Sequence, residues 1–475
     1  MIELSSNIKN YILQNFGEEY LQKYQDYFDS DYESYLRISR FTNPNKLISS
    51  LQKYGIELIP VTEISEAYKI KLGDNLVGKT LEFVLGQYYI QSLSSMIPAL
   101  VLNPSESDVT LDLCAAPGSK TTQLSELMNN KGTLVANEIS LERMKSLIFN
   151  LDKINAMNTG VLKGKGELLS KVYDNYFDKI LVDAPCSALG IVQKKGEVSN
   201  WWDVKKAEAL SEQQIRLLVA AIKMAKVGAE IVYSTCTLSL EENEFVVNKI
   251  LNKYPVELLE IDLPIKSING FTKYAGQNLN DELKKTRRIL PWDNHSEGFF
   301  VAKFVKTDET EANQKYSSRE KKHEFIRHTQ PKIQKYLKEI SEHFTIPYEI
   351  FEGYKYINKN GDVYFVDRNW NGGTIENFMR IGSKLGSIDK RDKLQIHTAA
   401  TQLLGNRAKD NCVEINREEL EIYFGGGIIR KEFMPFGQKI LLYQEQVLGT
   451  ASASVDGLKS KFPRAFRTQE IIFPK

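Results

Sequence analysis

VTLDLCAAPGSK, residues 109–120, reads as a buried strand that ends, turns through small residues and opens a helix near Lys120. Gly118 permits the turn and a close backbone approach, and the helix N-terminus offers free N–H groups to a polar ligand. Glu138 follows Gly118 by twenty residues and closes the next candidate strand, Leu134–Asn137. A carboxylate there can accept hydrogen bonds from ribose hydroxyls. The loop is not G-x-G-x-x-G and lacks the G-K-[ST] ending of a phosphate cradle. A nucleoside without phosphate, such as S-adenosylmethionine, fits it better than NAD or ATP. Taken alone, the stretch also reads as a plain strand-to-helix turn with Glu138 a solvated strand end.

Outward from it, residues 108 to 305 repeat a strand, loop, helix pattern. Candidate strands are 109–113, 134–137, 160–162, 179–182, 230–233 and 299–304, with helical spacing at 120–129, 141–154, 205–226 and 241–252. Such alternation implies an α/β fold, a doubly wound parallel sheet with right-handed crossovers. Before it, residues 8–28 have helical spacing, 35–38 form a short extended candidate and 47–54 look helical. After it, 307–325 is polar and charged, a linker composition. Tyr354–Ile357 and Val363–Val366 flank Asn360-Gly361, a hairpin signal, and the last third reads as a small β-rich module with its own identity. The expected division is 1–105 (an N-terminal RNA-binding extension), 106–306 (the catalytic domain), 307–325 (linker) and 326–475 (a C-terminal RNA-binding region).

With 475 residues, 42% apolar, 26% charged and a net charge of +1, the chain is a globular multi-domain protein rather than a uniformly basic nucleic-acid binder. No apolar run approaches a membrane span of about 20 residues, and the first residues lack a secretory pattern. A cytoplasmic location is expected. The four cysteines then read as thiols rather than a disulfide framework. They contain no C-x-x-C pair and have no histidines at ligand spacing, so no metal site is expected.

Two of those cysteines follow strand candidates. Asp183-Ala184-Pro185-Cys186-Ser187 comes after Lys179–Val182, and Tyr233-Ser234-Thr235-Cys236-Thr237 precedes Glu241-Glu242. Open α/β sheets place their chemistry at such strand ends. A lone cysteine is commonly a small buried hydrophobe. Two at matching strand ends, one beside an Asp, point instead to covalent catalysis on a bound substrate.

The combination CAAPGSK (114–120), DAPCSALG (183–190) and YSTCTL (233–238) before EENE (241–244) resembles the Nol/Nop/Sun family of RNA cytosine-5 methyltransferases. Gly86–Gln91 and Glu297–Phe300 are similar to that family's flanking motifs, so the resemblance covers roughly 32–306. The length and β-rich C-terminal third resemble the bacterial RsmF-type subgroup, which modifies small-subunit ribosomal RNA. The resemblance implies a Rossmann-like class I methyltransferase domain with an N-terminal α/β extension and a C-terminal PUA-like module. It implies S-adenosyl-L-methionine as cofactor, held by Cys114, Ala115, Ala116, Pro117, Gly118, Ser119, Lys120, Glu138 and Asp183. It makes Cys236 the nucleophile at cytosine C6, Cys186 the residue assisting its release, and Asp183 the acid beside cofactor and base. The implied partner is ribosomal RNA or the small ribosomal subunit, met by a monomer.

Three positions depart from the family pattern. The acid expected after the third strand is missing from Val161–Gly166, Ala188 stands for a usual Gly, and Ser92 for a frequent acid. An unreplaced adenine contact would weaken cofactor binding by about 1–3 kcal/mol. Basic residues Lys321, Lys322, Arg327, Lys332, Lys335 and Lys338, and then Lys459, Lys461, Arg464 and Arg467 with Phe462 and Phe466, suit phosphate neutralisation and base stacking. Trp201-Trp202 reads equally as a base platform or a core anchor. Two other readings remain open: a tRNA cytosine-5 methyltransferase, and a non-catalytic RNA-binding factor in ribosome assembly.

Overall fold

The computed structural model describes residues 4–274, 276–311, 324–467 and 470–473. Five parallel strands form the middle of a ten-stranded sheet, in the order Thr159–Leu162, Thr133–Asn137, Val109–Asp112, Phe177–Asp183 and Ala225–Thr235. Phe299–Lys306 adds antiparallel to the last of these. Winding reverses between Val109–Asp112 and Phe177–Asp183, so a crevice opens beyond the carboxyl ends of those two strands. Both cysteine-bearing loops leave strands at that edge.

The helix Ser119–Leu127 carries mostly polar residues yet is buried from Lys120 to Leu127. Its polar groups are matched one by one. Thr121 Oγ1 donates to Asp112 at 2.7 Å, Gln123 to the Met96 carbonyl at 3.0 Å, Ser125 to Asn158 at 2.7 Å, and Glu126 pairs with Arg37. Buried polar atoms are tolerated only on such terms.

The expected borders at 105 and 306 are crossed from both sides. Helix Leu93–Leu102 packs Met96, Ile97 and Leu102 under the central sheet against Leu181, Val232 and Val301. The helical stretch 8–28 is two helices, Ser6–Phe16 and Glu18–Asp29, broken at Gly17, where φ is +88°. They bury Ile8, Tyr11 and Tyr24 against Leu189, Trp202 and Leu238 beside the two cysteine-bearing loops.

The last third is not self-contained either. Strand Phe378–Ile381 pairs antiparallel with Thr159–Leu162 and covers the sheet's open edge. Gly160 makes this possible, since a Cβ there would meet Trp370 at 2.6 Å and Phe378 at 2.7 Å. Arg380 pairs with Asp152 across the same contact. Two five-stranded sheets make up the rest: 326–327, 354–359, 362–367, 383–388 and 394–396, then 412–414, 428–429, 437–443, 446–454 and 457–460. Most of the expected linker 307–325, with Lys321 and Lys322, lies outside the described residues. Among the described residues no helix is long and apolar enough to cross a membrane.

Candidate active site

The sulfurs of Cys186 and Cys236 lie 3.1 Å apart, each half-buried and free. Their loops are laced together by main-chain bonds. Gly190 N donates to the Cys236 carbonyl at 3.0 Å, and Gly298 N donates to the Gly190 carbonyl at 2.8 Å. A Cβ on Gly190 would fall 2.2 Å from the Gly298 oxygen, so only glycine closes this stitch. Ala188, two residues earlier, holds a left-handed φ of +61°, the conformation that the usual glycine adopts without strain.

Asp183 stands at the end of its strand, with Oδ1 accepting from Ser234 Oγ at 2.8 Å and Oδ2 paired with Lys120 Nζ at 2.8 Å. Lys120 also donates to Ser95 Oγ at 3.1 Å and sits 5.1 Å from the centre of the Phe299 ring. Burial alone would lower the Lys120 pKa, but the charges of Asp183 and Cys236 raise it, so the ammonium persists. The hydrogen bond to Cys236, followed by burial, pushes the Cys186 thiol well above the ordinary cysteine value. Cys186 therefore keeps its proton and can donate it toward the Cys236 sulfur.

The residues Glu241–Glu244 brace this arrangement, and each is buried. Glu241 accepts from Tyr11 OH at 2.6 Å. Glu242 accepts from Ser187 N at 2.8 Å and Gln214 at 3.0 Å, and burial raises its pKa. Asn243 accepts from Thr235 Oγ1 at 2.6 Å and donates to the Thr237 carbonyl at 3.0 Å, clasping Cys236 from both sides. Glu244 takes Arg288 Nε at 2.6 Å, and both side chains are fully buried. Arg288→Met leaves that carboxylate unpaired. We expect a loss of about 3–5 kcal/mol, measured as a fall in the urea midpoint.

Gly118, at φ +110°, turns the 114–120 loop against helix Leu141–Lys153, where a Cβ would meet Leu147 at 3.1 Å. Ala115 N donates to the Asn137 carbonyl at 2.9 Å, and Asn150 donates to the Pro117 carbonyl at 2.9 Å. Cys114 packs partly buried against the core, and burial pushes its thiol pKa up. Glu138 accepts from Ser140 N at 2.8 Å. Beyond the third strand, Lys163 and Lys165 are exposed, while Asn137 donates to the Gly164 carbonyl at 3.1 Å and keeps a buried Oδ1 with no partner. The glycine turn, the Glu138 carboxylate and this spare amide oxygen suit a nucleoside with hydroxyl and amino donors.

Asp112 lies under the loop, its pKa pushed up to about 7 by burial, with Asp183 adding and Thr121 opposing. Its ordinary value is 3.8, so the folded state holds a proton that the unfolded chain releases. The resulting stability is full below about pH 4, falls as pH rises through about 7, and is flat above. Asp112→Asn should abolish this decline, of which about 3 kcal/mol falls between pH 5 and pH 8, in urea unfolding compared at those two pH values.

Lys120 is expected from the sequence on the cofactor loop, and the structure pairs it with Asp183. Ser95, Ser234 and the residues bracing Glu242 were not legible as site residues, because their partners are distant in sequence. Trp202 is a core anchor, donating to Ser187 Oγ at 2.9 Å, whereas Trp201 is half-exposed beside Lys206. The aromatic half of the C-terminal basic cluster is structural too. Phe462 is buried, and Phe466 stacks on Phe149 with ring centres 4.4 Å apart. Ser92 donates to Glu297 at 2.6 Å, a place where an acid would meet a like charge.

Residues 99–305 match the family model described as 16S rRNA methyltransferase RsmB/F. The chain is 39% identical over 273 residues to the tRNA (cytosine(49)-C(5))-methyltransferase of Pyrococcus abyssi, covering 57% of this chain and 87% of that one. It is 30% identical over 430 residues to the ribosomal RNA small subunit methyltransferase F of Vibrio parahaemolyticus, covering 88% of each. A methyltransferase homologue from Pyrococcus horikoshii superposes with TM-score 0.55 and 30% identity, over 62% of this chain and 93% of that one. Some longer relatives exceed the chain, which spans about a third of their length.

Proposed function

Since the chain belongs to the Nol/Nop/Sun family of RNA cytosine-5 methyltransferases and is RsmF-like, we propose that it methylates C5 of a cytosine in small-subunit ribosomal RNA. It is an S-adenosylmethionine-dependent RNA cytosine C5-methyltransferase. Similarity to small-subunit enzymes along nearly the whole chain, 28% over 98% of it in one case from Shewanella piezotolerans, favours the ribosomal substrate. We read the two C-terminal sheets as PUA-like RNA-binding modules, the N-terminal segment as a further RNA contact, and the protein as a cytoplasmic monomer.

The observation that carries the mechanism is the pair of thiols 3.1 Å apart beside the Asp183–Lys120 ion pair. The target cytosine leaves its stack to enter the crevice. The Cys236 thiolate adds to C6 and moves electron density onto C5. Asp183, positioned by Lys120 and Ser234, acts as an acid that shares a proton with N3 and so stabilises the negative charge that develops there. S-adenosylmethionine, when bound along residues 114–120 with Glu138 at its ribose, supplies an electrophilic methyl group. The C5 proton is then lost to solvent, its electron pair forms the C5–C6 double bond, and the C6–S pair leaves on the Cys236 sulfur. Cys186 assists as the neighbouring thiol by donating a hydrogen bond to that departing thiolate.

The test is to incubate the protein and S-adenosylmethionine with small ribosomal subunits from cells lacking it, then map 5-methylcytosine. One new 5-methylcytosine in the small-subunit RNA is expected. Methylation of tRNA alone would shift the substrate to tRNA, and no methyl transfer to any RNA would leave only an assembly factor.

A further inference from the structure

Away from the crevice, a cavity of about 610 Å³ lies where three parts of the chain meet. Phe41–Ser50 and Gly86-Gln87 form one wall, the end of helix Leu141–Lys153 with Asn155 a second, and residues 402–406 with 445–447 the third. Its volume falls within the roughly 300–1,000 Å³ of small-ligand sites. The lining is rich in amides: Gln87, Asn130, Asn155, Gln402, Asn406 and Gln446. Each amide side chain offers both donors and an acceptor, the combination that reads the polar edges of an unstacked base.

Two of the lining residues are left wanting. Asn155 Oδ1 is buried with no hydrogen-bond partner, and its amide nitrogen reaches Gln402 only at 3.5 Å. Lys153 is buried, with no carboxylate partner among the described residues. Its ammonium lies 3.5 Å from the centre of the Phe83 ring and 5.4 Å from that of Tyr89. Burial lowers its pKa to about 7, a cost that a phosphate alongside would offset. Gln87 Nε2 bonds Gln446 Oε1 at 3.2 Å across the cavity, a weak latch that a base edge can replace. Exposed Lys46 stands on the rim. The same backbone joins the cavity to the crevice: Gly86-Gln87 leads through strand Tyr88–Ile90 to Ser95, which holds Lys120.

We propose that this cavity holds a second, unstacked nucleotide of the RNA substrate, its base read by the amides of Asn155, Gln402 and Asn406 and its phosphate held by Lys46 and Lys153. The proposal rests on the ribosomal RNA reading above. It gives the enzyme a way to choose among cytosines that does not involve the methylated base.

The experiment measures kcat and KM of the full chain on small ribosomal subunits from cells lacking it. Lys153→Met and the pair Gln402→Ala with Asn406→Ala are expected to raise KM for subunits about tenfold, a change of about 1.4 kcal/mol. Their kcat and KM for S-adenosylmethionine are expected to stay at the wild-type values. Lys46→Ala, on the exposed rim and no threat to folding, is expected to raise KM about threefold and to flatten its salt dependence. Subunits carrying 4-thiouridine should crosslink to the peptide containing Gln402 and Asn406. An unchanged KM in all three variants, with wild-type methylation intact, overturns the pocket and leaves the ribosomal reading standing. Subunits left unmethylated by the wild type overturn the ribosomal reading, and this proposal with it. An excess of free nucleoside monophosphates should not raise KM, and competition by them would make the cavity a free-nucleotide site instead.

Discussion

Replacing Cys186 with alanine is expected to leave the protein covalently attached to its RNA. In the wild type, the bond between Cys236 and C6 forms and breaks within one turnover. Cys186 is the thiol nearest that bond, at 3.1 Å from the Cys236 sulfur, and it keeps its own proton. Alanine removes the group that assists release without touching Cys236, Asp183 or Lys120. The forward addition should proceed and the release stall. With S-adenosylmethionine and small subunits, the variant should give a slow-migrating band on denaturing gels that RNase converts back to free protein. Turnover at the wild-type rate, or a loss of activity with no such band, would remove Cys186 from the release step.

The companion result is the loss of methyl transfer in Cys236→Ala, on the order of 10⁴-fold or more, or about 5 kcal/mol and upward in the barrier. Without a sulfur adding to C6, C5 stays too electron-poor to accept the methyl group. Affinity for RNA and for the cofactor should be unchanged, because neither is held by that sulfur. Adding Cys236→Ala to the Cys186 variant should abolish the gel band. Methyl transfer at even a tenth of the wild-type rate in Cys236→Ala would place the nucleophile elsewhere.

Legibility in the sequence followed the range of the interactions. The central strands, the Gly118 turn and both cysteine loops are written in segments of about ten residues, where alternation and small residues speak for themselves. The burial of helix Ser119–Leu127 was not legible, since Thr121, Gln123, Ser125 and Glu126 look like a solvated face until their partners are known. The same holds for Glu241–Glu244, whose acidity suggests an exposed helix start although Tyr11, Ser187 and Arg288 enclose it. Phe462 and Phe466 sit among lysines and arginines in the sequence, yet their rings turn inward or onto Phe149. Phe378–Ile381 is four residues long and marked by nothing but its place, and only the open edge at Gly160 explains it.

That strand has a bearing on how the protein is made. Phe378–Ile381 is translated long after Thr159–Leu162, so a growing polypeptide carries its main sheet with one flank bare until the late segment emerges from the ribosome. Pairings between positions so far apart are slow to form, and a bare flank invites pairing with other nascent chains. The strand thus ties completion of the cofactor-binding half to synthesis of the final third, and premature termination before it would yield a product prone to aggregate.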